Sequence, residues 1–298
     1  MTMLPLRAVM LPPLHSGAAD PDGWLWSDWS LEPTVVLGVL VLAAGYLVLT
    51  GPRRRRSPGS AERPVSGGQR AAFLSGVLTL FVALAPPLDD WADHFLLSAH
   101  MVQHLLMTLV VPPLLLLGTP AWLLEPLRRR APVDRLGRIL TRPVVAFALF
   151  NAVFILWHMP VLYDATLQNE GVHVAEHLLF LSTGVLAWWP VVGPQPGWPR
   201  LSPPLQCLYY AAQTIPGGIV GAFITLADPG LYQPYVAARR IFRIDLATDQ
   251  EVAGLLMWVV TSTIYLVLIT IIFFRWAGRE DAAERSAVAP RRQAAPRG

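Results

Sequence analysis

Phe95–Leu117 reads FLLSAHMVQHLLMTLVVPPLLLL, and this stretch decides what kind of chain this is. It contains no Asp, Glu, Lys or Arg. A helix needs about 20 mostly apolar residues to cross the hydrocarbon core of a bilayer. Comparable runs occupy Thr34–Thr50, Ala71–Ala85, Pro143–Met159, His173–Val192, Leu205–Leu226 and Val252–Phe274. The expectation is an all-α polytopic membrane protein, a bundle of about seven transmembrane helices over residues 34–276. Pro112-Pro113 and Pro216 fall inside these runs and are expected to kink or break their helices.

Composition agrees. The chain is 54% hydrophobic and 14% charged, with mean hydropathy +0.46. A soluble domain carries about 25% charged residues. The formal net charge of +3 is small, and its placement carries more information than its size. Arg53–Arg56, Arg63 and Arg70 follow the first run. Arg128–Arg130, Arg135, Arg138 and Arg142 follow the third. Arg279, Arg285, Arg291, Arg292 and Arg297 follow the last. Short arginine-rich connections mark the cytoplasmic side, so these clusters read as topology and not as nucleic-acid binding. The N-terminus is then outside and the C-terminus inside. Residues 1–33 form an extracytoplasmic segment, 51–69 a mobile cytoplasmic linker and 277–298 a disordered cytoplasmic tail. Arg239, Arg240 and Arg243 dissent, and nearby Asp228, Asp245, Asp249 and Glu251 are expected to offset them. The lone cysteine, Cys207, excludes an intrachain disulfide and a Cys-x-x-Cys site, and reads as a small buried hydrophobe. Met1–Asp20 makes a poor signal peptide.

Six of the seven histidines fall in or beside the third, fourth and fifth runs: His94, His100, His104, His158, His173 and His177. The topology puts all six in the outer leaflet half, with His104 and His177 one turn deeper than His100 and His173. Ionisable groups inside a membrane are costly and mostly functional. His100 and His104 stand four residues apart and share a helix face, about 6 Å apart along the axis. His173 and His177 repeat that spacing, with Glu176 beside them. Two such pairs on facing helices supply four imidazoles, and His158 is a fifth candidate. Imidazole suits copper, zinc, iron and nickel, and a thioether adds a preference for Cu(I). Met101, Met107 and Met159 are near in sequence, and Gln103, His94 and Asp249 are candidates for auxiliary roles. Thr248-Asp249-Gln250-Glu251 is also placed to cap the last helix.

The residues alone leave other chemistry open. His173-Val174-Ala175-Glu176-His177 fits the short H-x-x-E-H zinc-peptidase pattern. The paired histidines suit a membrane di-iron oxygenase, although that class carries His-His doublets and this chain has none. Bis-histidine haem ligation, a proton path, and plain interhelical hydrogen bonding use the same residue types.

A combination of strings narrows the choice. Ser98-Ala99-His100-Met101-Val102-Gln103-His104 leads into Pro112-Pro113 and Leu117-Gly118-Thr119-Pro120. Trp157-His158-Met159-Pro160, Tyr163-Asp164, His173 to His177 and Trp188-Trp189-Pro190 follow, and Asp249-Gln250 with Ala253 to Trp258 closes the pattern. From His94 to Val260 the chain resembles the multi-span CtaG family of cytochrome c oxidase assembly factors. The resemblance implies a non-catalytic factor in a bacterial cell membrane. It also implies copper as the ion at His100, His104, His158, His173 and His177. The expected partners are a haem–copper oxidase subunit and membrane lipids, with no nucleic acid.

Overall fold

The computed structural model describes residues 32–51 and 65–293, with side chains as far as Ser286. Nearly all of the 1–33 segment and most of the 51–69 linker therefore lie outside the described residues. Every regular element among the described residues is helical. In chain order these are α1 (Pro33–Thr50), α2 (Gly67–Ala83) and the short α3 (Leu88–His94). Helix α4 spans Leu97–Gly118. Then come α5 (Ala121–Arg128), α6 (Ala131–Leu140), α7 (Pro143–Trp157), α8 (Pro160–Gln168), α9 (Glu170–Val192), α10 (Pro203–Leu226) and α11 (Gln233–Ala237). Helix α12 joins Leu246–Leu255, a π-helical turn at Leu256–Val260, and Thr261–Gln293.

Five of these helices are long and apolar enough to cross a membrane, and up to seven spans result if α2 with α3 and α6 with α7 each count as one. The helix starts follow local chemistry. Proline, which has no N–H to leave unsatisfied, opens α1, α7, α8 and α10 at Pro33, Pro143, Pro160 and Pro203. Ser66 and Gln69 form a reciprocal capping box on α2, and Asn169 caps α9 by accepting from the Val172 N–H.

Of the kink or break expected at the prolines the break does not occur, and the expectation for the tail changes. The Pro112-Pro113 pair does not break its helix. A π-helical turn at Leu106–Val110 runs directly into the prolines, and the span stays continuous from Leu97 to Gly118. Pro216 likewise sits within the unbroken α10. The tail expected to be disordered from 277 onward is instead helical to Gln293. Its alanines favour helix, and i,i+4 bonds support it: Trp276 Nε1 to Glu280 Oε1 at 3.1 Å and Arg285 Nε to the Asp281 carbonyl at 3.1 Å.

Close helix approach sets the frame of the bundle. Helix α2 packs along the C-terminal half of α4, α7 along α9, and α10 along α12. A Cβ on Gly221 of α10 would stand 2.7 Å from the Gly254 carbonyl, and one on Gly254 would stand 2.6 Å from the Gly221 carbonyl. Only glycine at both places lets these backbones touch, which seats the first turns of α12 in the core. Gln250 then ties the α10–α11 connection to α12. Its Oε1 accepts from the Gly230 and Leu231 N–H groups, and its Nε2 donates to the Ala227 carbonyl at 3.0 Å.

Candidate metal centre

The histidine half of the bundle is assembled from α3, α4, α7, α8, α9, α11 and the start of α12. Helix α4 enters it at Leu97, where its first N–H groups need partners. Asp249 supplies them from across the bundle. Its carboxylate accepts from Leu97 N–H at 2.8 Å and Ser98 N–H at 3.0 Å, and from the Ser98 hydroxyl. This corrects the reading of Asp249 as a cap for its own helix and as an offset for the nearby arginines. Asp245 caps α12, accepting from the Thr248 N–H at 2.9 Å, while Asp249 is fully buried and fixes α4. On the opposite side Gln103 donates to the Ala83 carbonyl at 2.8 Å and to Asp89 Oδ1 at 2.7 Å. The helix bearing His100 and His104 is thus held at its N-terminus by α12 and on its flank by α2 and α3.

Held this way, the two histidine pairs meet. His100 and His104 face each other through Nε2 atoms 2.9 Å apart. Glu176 lies against both, 3.9 Å from His100 Nε2 and 3.8 Å from His104 Nε2. One ligand atom each from His100, His104, Glu176 and His177 falls within a common 4.8 Å. A second group, sharing His100, joins it with Asp93 and His173 within the same distance. His173 Nδ1 is 3.5 Å from Asp93 Oδ2.

The polar atoms of this cluster are short of partners. His104 Nδ1, His158 Nε2, His173 Nε2, His177 Nε2 and both oxygens of Glu176 are buried without a hydrogen bond within the chain. Leaving one buried polar group unsatisfied costs about 1–3 kcal/mol, and several at one point mark a site that something else completes. Three imidazoles and a carboxylate whose ligand atoms lie within 4.8 Å of one another are a set that could hold a transition-metal ion. The donor chemistry fits copper or zinc without any thiolate.

The other candidates take different places. The His158 ring centroid is 5.9 Å from that of His104. Its Nδ1 meets the Phe154 carbonyl at 2.7 Å, and it stands outside the four-residue group. His94 is exposed at the end of α3, with its Nδ1 3.3 Å from the Asp90 carbonyl. Met101 packs in the apolar core with Phe154, Tyr163 and Phe180. Met107 packs with Leu80, Ala83 and Val111 toward α2. Both thioethers thus serve helix packing.

Three tyrosines and one aspartate complete the walls, and the sequence pattern gave none of them a role there. Tyr235 donates to the Ala92 carbonyl at 2.6 Å and stands 3.3 Å from His100 Nδ1 and 3.1 Å from the Tyr163 hydroxyl. Tyr232 donates to the His158 carbonyl at 2.9 Å. Asp93 is the missed candidate ligand. Asp89 and Asp93 are four residues apart, the same spacing that singled out the histidines. At the rim, on α8, burial raises the Asp164 carboxyl above its ordinary range against a backbone hydrogen bond from Gln233.

A model of the family described as cytochrome c oxidase caa3 assembly factor matches residues 44–279, which takes in every residue of the cluster. The chain belongs to this family. The match is wider at both ends than the motif-bearing segment from His94 to Val260. Among curated relatives, uncharacterized proteins of Mycobacterium bovis and Mycobacterium tuberculosis are each 25% identical over 272 residues, and one of Mycobacterium leprae is 25% identical over 271. Each alignment covers 85% of this chain and 40% of the relative. The chain therefore spans about two fifths of the length of the curated relatives it matches. No solved structure matches.

Proposed function

We propose that this chain is a membrane assembly factor that holds copper in the histidine half of its bundle and passes it to a haem–copper oxidase subunit. The observation that carries the reading is the convergence of His100, His104, Glu176 and His177 within 4.8 Å, with both Glu176 oxygens lacking partners. Family membership supplies the process, and the donor set supplies the cargo. His173 and His158 border the four-residue group and extend the array of imidazoles.

Delivery, and not turnover, is the role this arrangement suits. The four side chains are buried or nearly so, and Tyr163 and Phe180 pack against the rings at centroid distances of 5.1 Å from His100 and 4.5 Å from His104. A hydrolytic site keeps an open coordination position for water. Here the glutamate of the H-x-x-E-H string faces two imidazoles from α4. A carrier must also release its ion, and several similar neutral ligands exchange stepwise. Thiolates, which an oxidising outer face would convert to disulfides, play no part. We place the cluster on the outer side of the bacterial cell membrane, with the N-terminus outside and the C-terminus inside, on the arginine asymmetry.

The test is oxidase activity in membranes, set against the amount of this chain present. His100→Ala with His104→Ala, and Glu176→Ala with His177→Ala, should both lower active oxidase, with partial rescue by added copper. Normal oxidase from both double variants under copper limitation would make the cluster structural and end the proposal.

A further inference from the structure

His100 belongs to two groups of candidate ligands at once, one buried and one nearer the surface. Resting on the copper-holding function, we propose that the chain holds its cargo ion at two stations in turn: an outer one of Asp93, His173 and His100, and an inner one of His100, His104, Glu176 and His177.

The two groups differ in access. Asp93 and His173 keep 24% and 14% of their side-chain surface exposed, against 0% for His100 and Glu176 and 2% for His104; His177 is partly exposed, so the inner group is the deeper in three of its four members. The outer group is the one an ion from water reaches first. It is also built as a site. Asp93 Oδ2 lies 3.5 Å from His173 Nδ1, within ion-pair distance, while Asp93 Oδ1 and His173 Nε2 are buried and lack hydrogen-bond partners. A carboxylate that orients one ring nitrogen of a histidine prepares the other as a ligand. Asp89, one turn earlier, is engaged elsewhere, because its Oδ1 accepts from Gln103. The outer group is therefore a defined triad and not a loose acidic patch.

His100 connects the stations. A neutral imidazole offers one lone-pair nitrogen at a time, so His100 serves one station or the other. The cargo is then one ion with two alternative positions, not two ions held together. The outer station offers two imidazoles and one carboxylate, and the inner one three imidazoles and one carboxylate. Nitrogen-rich sites hold copper more firmly, so the gradient runs inward. The oxidation state of the ion does not change on the way.

The experiment uses the full chain in lipid nanodiscs with Cu(II) as the probe, competed against a chromophoric chelator. Paramagnetic resonance counts the coupled nitrogens. Wild type should bind one ion with three nitrogens. Asp93→Asn with His173→Ala should keep that ion and spectrum but load about tenfold more slowly. His104→Ala with His177→Ala should bind one ion with two nitrogens and release it about tenfold faster. All four changes together should abolish binding. Asp93→Asn alone gives the same rate comparison if the double variant fails to insert.

Wild-type loading without Asp93 and His173, or no binding once His104 and His177 are gone, overturns the outer station and leaves the buried site standing. Two ions bound at once by wild type overturns the shared ligand. Loss of the ion in the outer variant, with retention in the inner one, removes the buried site and the proposed function with it. A wild type that binds no ion sinks both.

Discussion

In one half of the bundle Trp188, Tyr209, Tyr210 and Tyr265 pack together, and two of their polar heads turn to backbone. Trp188 Nε1 donates to the Thr108 carbonyl at 2.8 Å, and the Tyr209 hydroxyl to the Ala187 carbonyl at 2.9 Å. In the other half, aromatic rings of similar bulk surround His100, His104, His177 and Glu176, and there the unpartnered atoms gather at one point. The aromatic half has two orphans of its own, Tyr210 OH and Trp189 Nε1, but these are neutral groups on separate side chains. Both halves use the same helices, α4, α9 and α12. The difference therefore lies in how polar atoms are partnered. One half leaves its orphans scattered as single neutral groups. The other keeps donors in reserve at a cost in stability, and that cost is tolerable only if a ligand offsets it.

The comparison breaks most visibly in the cell. His100→Ala with His104→Ala should lower active oxidase per unit of inserted chain by about tenfold or more, on the scale that lost metal-site partners carry. Tyr209→Phe with Tyr210→Phe, in the other half, should leave oxidase within about twofold, since neither hydroxyl faces the cluster. Oxidase assays on matched membranes decide it, and equal losses from both pairs would erase the functional difference between the halves.

Thermal unfolding sharpens the same contrast. An ion present at a hundred times its dissociation constant stabilises the folded chain by about 2.7 kcal/mol. For a chain of this size that raises Tm by about 4 °C. Copper should give wild type that rise and give Glu176→Gln a much smaller one. Without copper, Glu176→Gln should lie within about 1 kcal/mol of wild type, because an amide of the same shape leaves the same polar atoms to be satisfied. A copper-free Tm lowered by more than that in Glu176→Gln would mean that the carboxylate is already satisfied.

Asp249 lies on the seam that α12 makes with α4, away from the imidazoles. Asp249→Ala strips the Leu97 and Ser98 N–H groups of their acceptor, which should cost about 1–2 kcal/mol. It should weaken copper retention only through looser placement of His100. Denaturation with and without copper separates the two effects. The smallest expected change is Trp188→Phe. It removes one hydrogen bond to the Thr108 carbonyl, about 1 kcal/mol, and should leave copper affinity unchanged.

Local periodicity made the long helices legible in the sequence. Apolar runs and their flanking prolines reproduce α1, α2, α4, α7, α9, α10 and α12 to within a few residues at most ends, because a membrane span is a property of consecutive residues. The i,i+4 histidine pairs were legible for the same reason. What sequence did not reveal belongs to short elements and long separations. Helix α3 has only seven residues and carries Asp89, Asp90 and Asp93, so it reads as a charged loop. Its pairing with His173 depends on how α9 docks. Tyr235 comes from a five-residue helix and meets His100 across 135 positions. Asp249 looked like a cap for the helix that bears it, and the cap it forms is on another helix 151 residues away. No local pattern distinguishes those two uses of one carboxylate.

The π-helical turns at Leu106–Val110 of α4 and Leu256–Val260 of α12 have a geometric consequence. Each residue of an α-helix advances the direction its side chain points by about 100°. A wide turn absorbs part of that advance, so the angular phase of the segment before it is set independently of the segment after it. In α4 the turn falls between the histidine face and the Pro112-Pro113 face. In α12 it falls between Asp249 with Gln250 and the long apolar shaft. Deleting one residue from Leu106–Val110 would take out the extra residue that the wide turn holds and leave an ordinary α-helix, and deleting a second would swing His100 and His104 by about 100° against Leu116 and Gly118. Each of these helices is in this sense two helices on one axis, and the joint lets the polar face be aimed without disturbing the packing beyond it.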